Sequence, residues 1–170
     1  KFGSEILESY YAQTDRFEVQ PIYIERFFGS GLSKTVLGDI TLTGRIDRID
    51  WHDISKKTAR VVDYKTGRIR SVNDIEGKTV SAGLSEREQS LPESIRGPYK
   101  RQLLFYKLLT ELDRTFVPTV VEGVFDFIEP NKTNGKQVSH TFALDDSAVN
   151  DLKELIKEVM GEIRGLEFLG

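Results

Sequence analysis

The sequence has no cysteine in its 170 residues. Disulfides, cysteine-ligated zinc and iron–sulfur clusters are therefore excluded. Histidine is nearly as scarce. His52 and His140 are the only two; neither has a partner at metal-ligand spacing, and both are expected at the surface. No apolar run approaches the roughly 20 residues that a membrane-spanning helix needs. No secretory signal pattern opens the chain, which begins at Lys1 rather than Met. The expectation is a cytoplasmic fragment of a longer protein, without membrane contact. Positive charge is also in deficit. A net charge of −3 argues against a uniformly basic nucleic-acid surface but leaves room for a local one. Carboxylates clustered to bind a cation make a formal count look acidic in this way.

What is present is a soluble globular composition, rich in Phe, Tyr, Leu, Ile and Val. A chain of this length is most simply one domain with a real core. Helical spacing of apolar residues predicts a helix from Phe2 to Ala12. Phe17 to Phe28 reads as a strand with Val19, Pro21, Tyr23, Glu25 and Phe27 on one face, and Pro21 places it near an edge. Gly29 to Thr35 lacks the glycines of a phosphate-binding loop and is expected to be a mobile connection. A hairpin follows, from about Val36 to Thr66. The polar stretch Arg68 to Gly97 is long for a connection; a short helix is expected around Ser85 to Ser94. Tyr99 to Leu112 predicts a buried helix. Pro118 to Ile128 and Val138 to Leu144 read as strands, with Asn131-Lys132-Thr133 in the turn between them. Asp145 to Leu166 closes the chain as an amphipathic helix. The order predicts an α/β fold with a mixed sheet.

The chemistry concentrates between Leu42 and Gly67, read as LTGRIDRIDW, HDISKKTA and RVVDYKTG. Two alternating segments flank a polar turn, which is the pattern of a hairpin. A turn centred on Ser55 sets Asp47 opposite Asp63, with Cβ atoms roughly 4.5–5.5 Å apart. Two carboxylates that close repel unless a cation lies between them, and Asp is disfavoured in strands. Lys65 projects from the same face as Asp63. Asp47 and Asp63 are therefore candidate ligands of a hard divalent cation, which prefers oxygen donors. Lys65 is a candidate contact for a phosphate. Gln102 and Tyr106 lie four apart on one face of the following helix, joined by Tyr99. Arg68, Arg70, Arg96, Lys100 and Arg101 are candidates for a phosphate-tracking rim.

GRIDRID, VVDYKTG and QLLFY together resemble the RecB-like branch of the PD-(D/E)XK nuclease superfamily, most of all nuclease domains attached to UvrD/Rep-type helicases. The resemblance implies a restriction-endonuclease-like mixed sheet flanked by helices, with residues 1–170 forming one nuclease domain. It implies magnesium or manganese held by Asp47 and Asp63. It gives Lys65 a catalytic role, with Gln102 and Tyr106 orienting the site or touching the DNA backbone. Glu25 matches an acidic residue of the family's first strand, as site residue or as structural partner. Tyr64 is a further candidate. The implied activity is hydrolysis of DNA, with single-stranded DNA the expected substrate, in repair or recombination beside a helicase domain.

Many relatives carry an upstream histidine as a further metal ligand. The opening helix here has Glu5 and Glu8 instead. Either the fragment starts past that position, a glutamate replaces it, or the site lacks it. Relatives with a four-cysteine cluster, the CRISPR adaptation nucleases among them, are disfavoured. Two other readings stay open: a catalytically silent module for DNA binding or protein interaction, and a restriction- or tRNA-type endonuclease on the same scaffold.

Overall fold

The computed structural model describes residues 2–13, 20–79 and 84–166. The elements run α1 (Phe2–Gln13), β1 (Pro21–Phe28), β2 (Val36–Leu37), β3 (Ile40–Thr41), β4 (Gly44–Asp53), β5 (Thr58–Lys65), α2 (Val72–Ile75), α3 (Glu86–Ser90), α4 (Pro98–Leu112), β6 (Thr119–Phe127), β7 (Val138–Ala143) and α5 (Asp146–Leu166). Five strands make one sheet in the order β1-β4-β5-β6-β7. Only β5 and β6 are parallel; the other neighbours are antiparallel. A parallel pair needs a crossover, and α4 lies on that crossover, packed on the sheet. Among the described residues no helix is long and apolar enough to cross a membrane.

The hairpin of β4 and β5 has the expected register. Arg48 faces Val62, Ile49 faces Val61, Asp50 faces Arg60 and Trp51 faces Ala59. The ladder ends at Arg48 and Val62; beyond it Asp47 reaches β5 through its side chain, whose Oδ2 accepts the Tyr64 amide. The turn itself runs from Ile54 to Lys57, and an irregularity between Trp51 and Asp53 absorbs the offset. Ser55 Oγ and the Lys56 amide donate to Asp53 Oδ1 at 2.6 and 3.2 Å. These bonds hold the Asp53 carboxyl down at about 2.

Three expectations need correction. The hairpin does not begin at Val36, because β2 and β3 pair with each other in a separate small sheet. The single face expected on β1 does not hold either. Glu25 has φ +53°, which breaks the alternation; Phe27 is 48% exposed while Phe28 is fully buried. Residues 17–19 of that strand, with Val19, lie outside the described residues. The connection Gly29 to Thr35 is pinned rather than loose. Ser33 Oγ donates to Asp113 Oδ2 at 2.8 Å and Thr35 Oγ1 donates to the Leu42 carbonyl at 2.5 Å.

The core lies between the sheet and α4. Leu103, Leu104, Leu108 and Leu109 of α4 are buried with Ile49, Val61, Val120 and Phe125 of the strands. Burying each such side chain stabilises by about 1.5–3 kcal/mol. Two glycines admit the helix. A Cβ on Gly123 would stand 2.9 Å from Leu103 Cδ1, and one on Gly44 2.5 Å from Leu109 Cδ1. Lys107 is buried as well; its Nζ donates to the Val120 carbonyl at 2.7 Å and lies 3.0 Å from Asp146 Oδ1.

The polar stretch after β5 holds two short helices. The one expected near Ser85 is α3, capped by the Ser85 side chain. The other, α2, has no periodic signal in so few residues, although Ser71 and Asp74 form a capping box around it whose spacing stands in the sequence. Gly97, at φ +93°, packs on the backbone of Gly77: a Cβ there would meet Ile75 O at 2.4 Å and Gly77 N at 3.0 Å. The two ends of the intervening segment therefore touch. Residues 80–83 within it lie outside the described residues.

Candidate active site

Asp63 sits near the end of β5, 4% exposed. Tyr106 OH donates to its Oδ1 at 2.6 Å, and Gln102 Nε2 donates to the same oxygen at 3.0 Å. Gln102 Nε2 also reaches Tyr106 OH at 2.8 Å. Lys65 Nζ lies 2.6 Å from Asp63 Oδ2 and donates to Gln102 Oε1 at 2.7 Å. Four side chains from one strand and one helix thus form a closed network. Helical spacing delivers Gln102 and Tyr106 together, and strand alternation delivers Asp63 and Lys65 together.

Asp63 Oδ2 is buried and stands outside the aligned hydrogen bonds of the network; its partner is the Lys65 ammonium, 2.6 Å away. A buried carboxylate needs a positive partner, a place that a divalent cation can share with Lys65. Asp47 Oδ2 accepts the Tyr64 amide at 2.9 Å, which fixes that carboxylate against β5. Magnesium needs only one or two carboxylates beside water and phosphate, so the pair fits a divalent ion. Among the described residues no group of three or more His, Asp or Glu side chains converges. Glu5 and Glu8 are exposed on α1 and form no such group with the pair.

Burial raises the Tyr106 phenol well above its ordinary value of 10, and the hydrogen bond to Asp63 raises it further. Tyr106 is therefore a neutral donor at any physiological pH. Lys65 Nζ also lies 5.2 Å from the Tyr99 ring centre and 5.1 Å from that of Phe125. Two aromatic faces beside an ammonium stabilise its charge. Phe125 is a site neighbour that sequence reasoning misses, because it stands opposite Asp63 in the parallel β5–β6 pairing. Nothing in a sequence sets such a register.

The remaining candidates lie elsewhere. Glu25 forms an exposed ion pair with Arg45 at 3.1 Å. The Tyr64 side chain bonds to Arg48 Nη1 and meets Tyr10 of α1 edge-on at 6.3 Å; only its backbone amide serves Asp47. Tyr10 OH in turn donates to Asp126 Oδ2 at 2.5 Å. His52 is exposed and 3.2 Å from Glu122. His140 is only half-exposed, contrary to expectation, since Nε2 bonds the Arg70 carbonyl at 3.0 Å and the ring packs on Phe127.

The expected basic rim is partly spent on the fold. Arg101 closes on Glu88, Arg96 donates to the Leu91 carbonyl at 2.9 Å and Lys100 to the Glu93 carbonyl at 3.3 Å. Arg70 stacks 5.9 Å from the Tyr99 ring. Arg68 has no ion-pair partner among the described residues.

A family model described as the PD-(D/E)XK nuclease superfamily matches residues 2–169. No match to a curated protein reaches significance. The five-stranded mixed sheet flanked by helices is consistent with the restriction-endonuclease-like fold of that superfamily. With nearly the whole chain matched, and the Asp63–Lys65 strand set against Gln102 and Tyr106, the chain belongs to the PD-(D/E)XK nuclease superfamily.

Proposed function

We propose that this chain, residues 1–170, is a metal-dependent deoxyribonuclease domain acting on single-stranded DNA. The observation that carries the reading is the buried Asp63 carboxylate, ion-paired with Lys65, with Asp47 held against the same strand by the Tyr64 amide. Asp47 and Asp63 would hold magnesium or manganese, which when bound would supply Lewis-acid polarisation of a phosphoryl oxygen. Lys65 leaves Asp63 for a non-bridging phosphate oxygen and stabilises the charge that grows there. Gln102 and Tyr106 keep the Asp63 carboxylate from rotating as Lys65 changes partner. Water attacks the phosphorus as the bond to the 3′ oxygen breaks; the water gives up a proton to solvent and the leaving oxygen takes one from solvent, giving a 3′ hydroxyl and a 5′ phosphate. The resemblance to helicase-attached nucleases supports a place in repair or recombination beside a helicase domain.

Cleavage of single-stranded DNA with magnesium tests this directly. Asp63→Asn and Lys65→Ala should each reduce the rate by about 100- to 1,000-fold, the scale of removing one positioned charge. Wild-type rates in both variants would sink the assignment. Manganese calorimetry separates a silent module from an enzyme: the folded wild type should bind, and Asp63→Asn should not.

A further inference from the structure

Because β5 and β6 are parallel, their carboxyl ends lie side by side, joined where the Ile128 amide donates to the Lys65 carbonyl at 3.0 Å. The two loops that leave these ends enclose a cleft of about 510 Å³, lined by Arg68 and Ile69 from one and by Glu129, Pro130, Asn131 and Lys132 from the other. That volume is within the roughly 300–1,000 Å³ of small-ligand clefts. Arg26, Arg45, Arg48, Arg87 and Arg101 each close on a carboxylate. Arg68 and Lys132 have no such partner among the described residues. Among the described residues Glu129 is the one acid of the lining, against Arg68 and Lys132, so their sum is positive. Ile69 and Pro130 offer apolar surface beside these charges. Arg68 is three residues beyond Lys65, at most about 10 Å along the chain, and so within one to a few nucleotides of the scissile phosphate.

We infer that this cleft is a subsite for the DNA strand next to the cut, with Arg68 and Lys132 taking a backbone phosphate and Ile69 and Pro130 supporting the sugar or base. The inference rests on the nuclease reading and adds to it where the strand lies. A positively charged groove that tracks the backbone is one part of a sequence-tolerant single-strand site. The turn that supplies Lys132 is built for rigidity: the Thr133 amide donates to Asn131 Oδ1 at 2.8 Å and the Gly135 amide to the Asn131 carbonyl at 2.7 Å.

Fluorescence anisotropy with a short single-stranded oligonucleotide in EDTA tests the site apart from cleavage. The double variant R68A/K132A should bind about tenfold more weakly, and its salt slope should shrink by about 1.4, or 0.7 for each cation removed from the DNA backbone. In the cleavage assay its KM should rise with kcat changed less than about twofold, since neither residue belongs to the reacting network. Arg114→Ala, an exposed cation before β6, should leave all three unchanged. Wild-type binding matched by R68A/K132A, with the same slope, would overturn the subsite and leave the nuclease reading standing. A wild type that neither binds nor cleaves DNA would overturn both.

Discussion

Tyr106 gives up its phenol proton far less readily than an ordinary tyrosine, because burial and Asp63 both disfavour the anion. Its hydroxyl holds Asp63 Oδ1 and receives Gln102. Tyr106→Phe should therefore cost about 1 kcal/mol of stability, the net worth of a buried hydrogen bond, seen as a lower urea midpoint. It should slow cleavage more than it weakens DNA binding, because the missing bond orients Asp63. The raised value also has a sign. Above pH 10, the ordinary value, the unfolded chain releases this proton while the native chain keeps it. Stability then falls as pH rises from that value toward the native one. Urea midpoints above pH 10 should fall less steeply in Tyr106→Phe than in the wild type. At this scale Asp47, Asp63, Lys65, Gln102 and Tyr106 are all legible in the sequence, because strand alternation and helix spacing are local rules. Glu25 is harder, since a positive φ at that residue has no sequence signature, and its side chain turns to Arg45.

Among the elements, α4 determines how closely helix and sheet approach. Gly123→Val should be destabilising by about 1–3 kcal/mol, as overpacking is, because Leu103 Cβ as well as Leu103 Cδ1 stands at the limit of contact. Thermal unfolding reads this directly. The helix stops at Asp113, whose buried carboxylate takes bonds from Thr115, Ser33 and Arg26. Burial opposes ionisation there, but these bonds outweigh it and hold the carboxyl below its ordinary 3.8. Asp113→Ala strands Arg26 and Ser33 and should cost about 3 kcal/mol by urea unfolding. Part of that contribution fades in the wild type as pH falls below 3.8 toward the lower native value. The long elements are legible because their periodicity is strong. The β2–β3 hairpin and α2 are not, being too short for any period, and α2 is signalled only by its cap. The expected basic rim fails for a different reason. Sequence proximity cannot tell a cation that faces solvent from one, such as Arg101, that ties α3 to α4.

At the scale of the molecule, the proposed cation site would link folding to binding. A divalent ion that binds the native pair Asp47 and Asp63, and not the unfolded chain, should add about 2.7 kcal/mol at a hundredfold excess over Kd. The Tm should climb with manganese concentration in the wild type and stay level in Asp63→Asn. The sheet order is not readable in advance, because the β5–β6 pairing joins strands separated by the whole of α4. The contact of Gly77 with Gly97 has a consequence for how this chain can vary. The excursion it closes starts and finishes at one point, so its length is uncoupled from the spacing of β5 and α4. Lengthening such a loop adds only about 0.6 kcal/mol per doubling. Insertions between Gly77 and α3 should thus be tolerated, while α3 stays tied to α4 through Glu88 and Arg101 and Ile95 stays in the core.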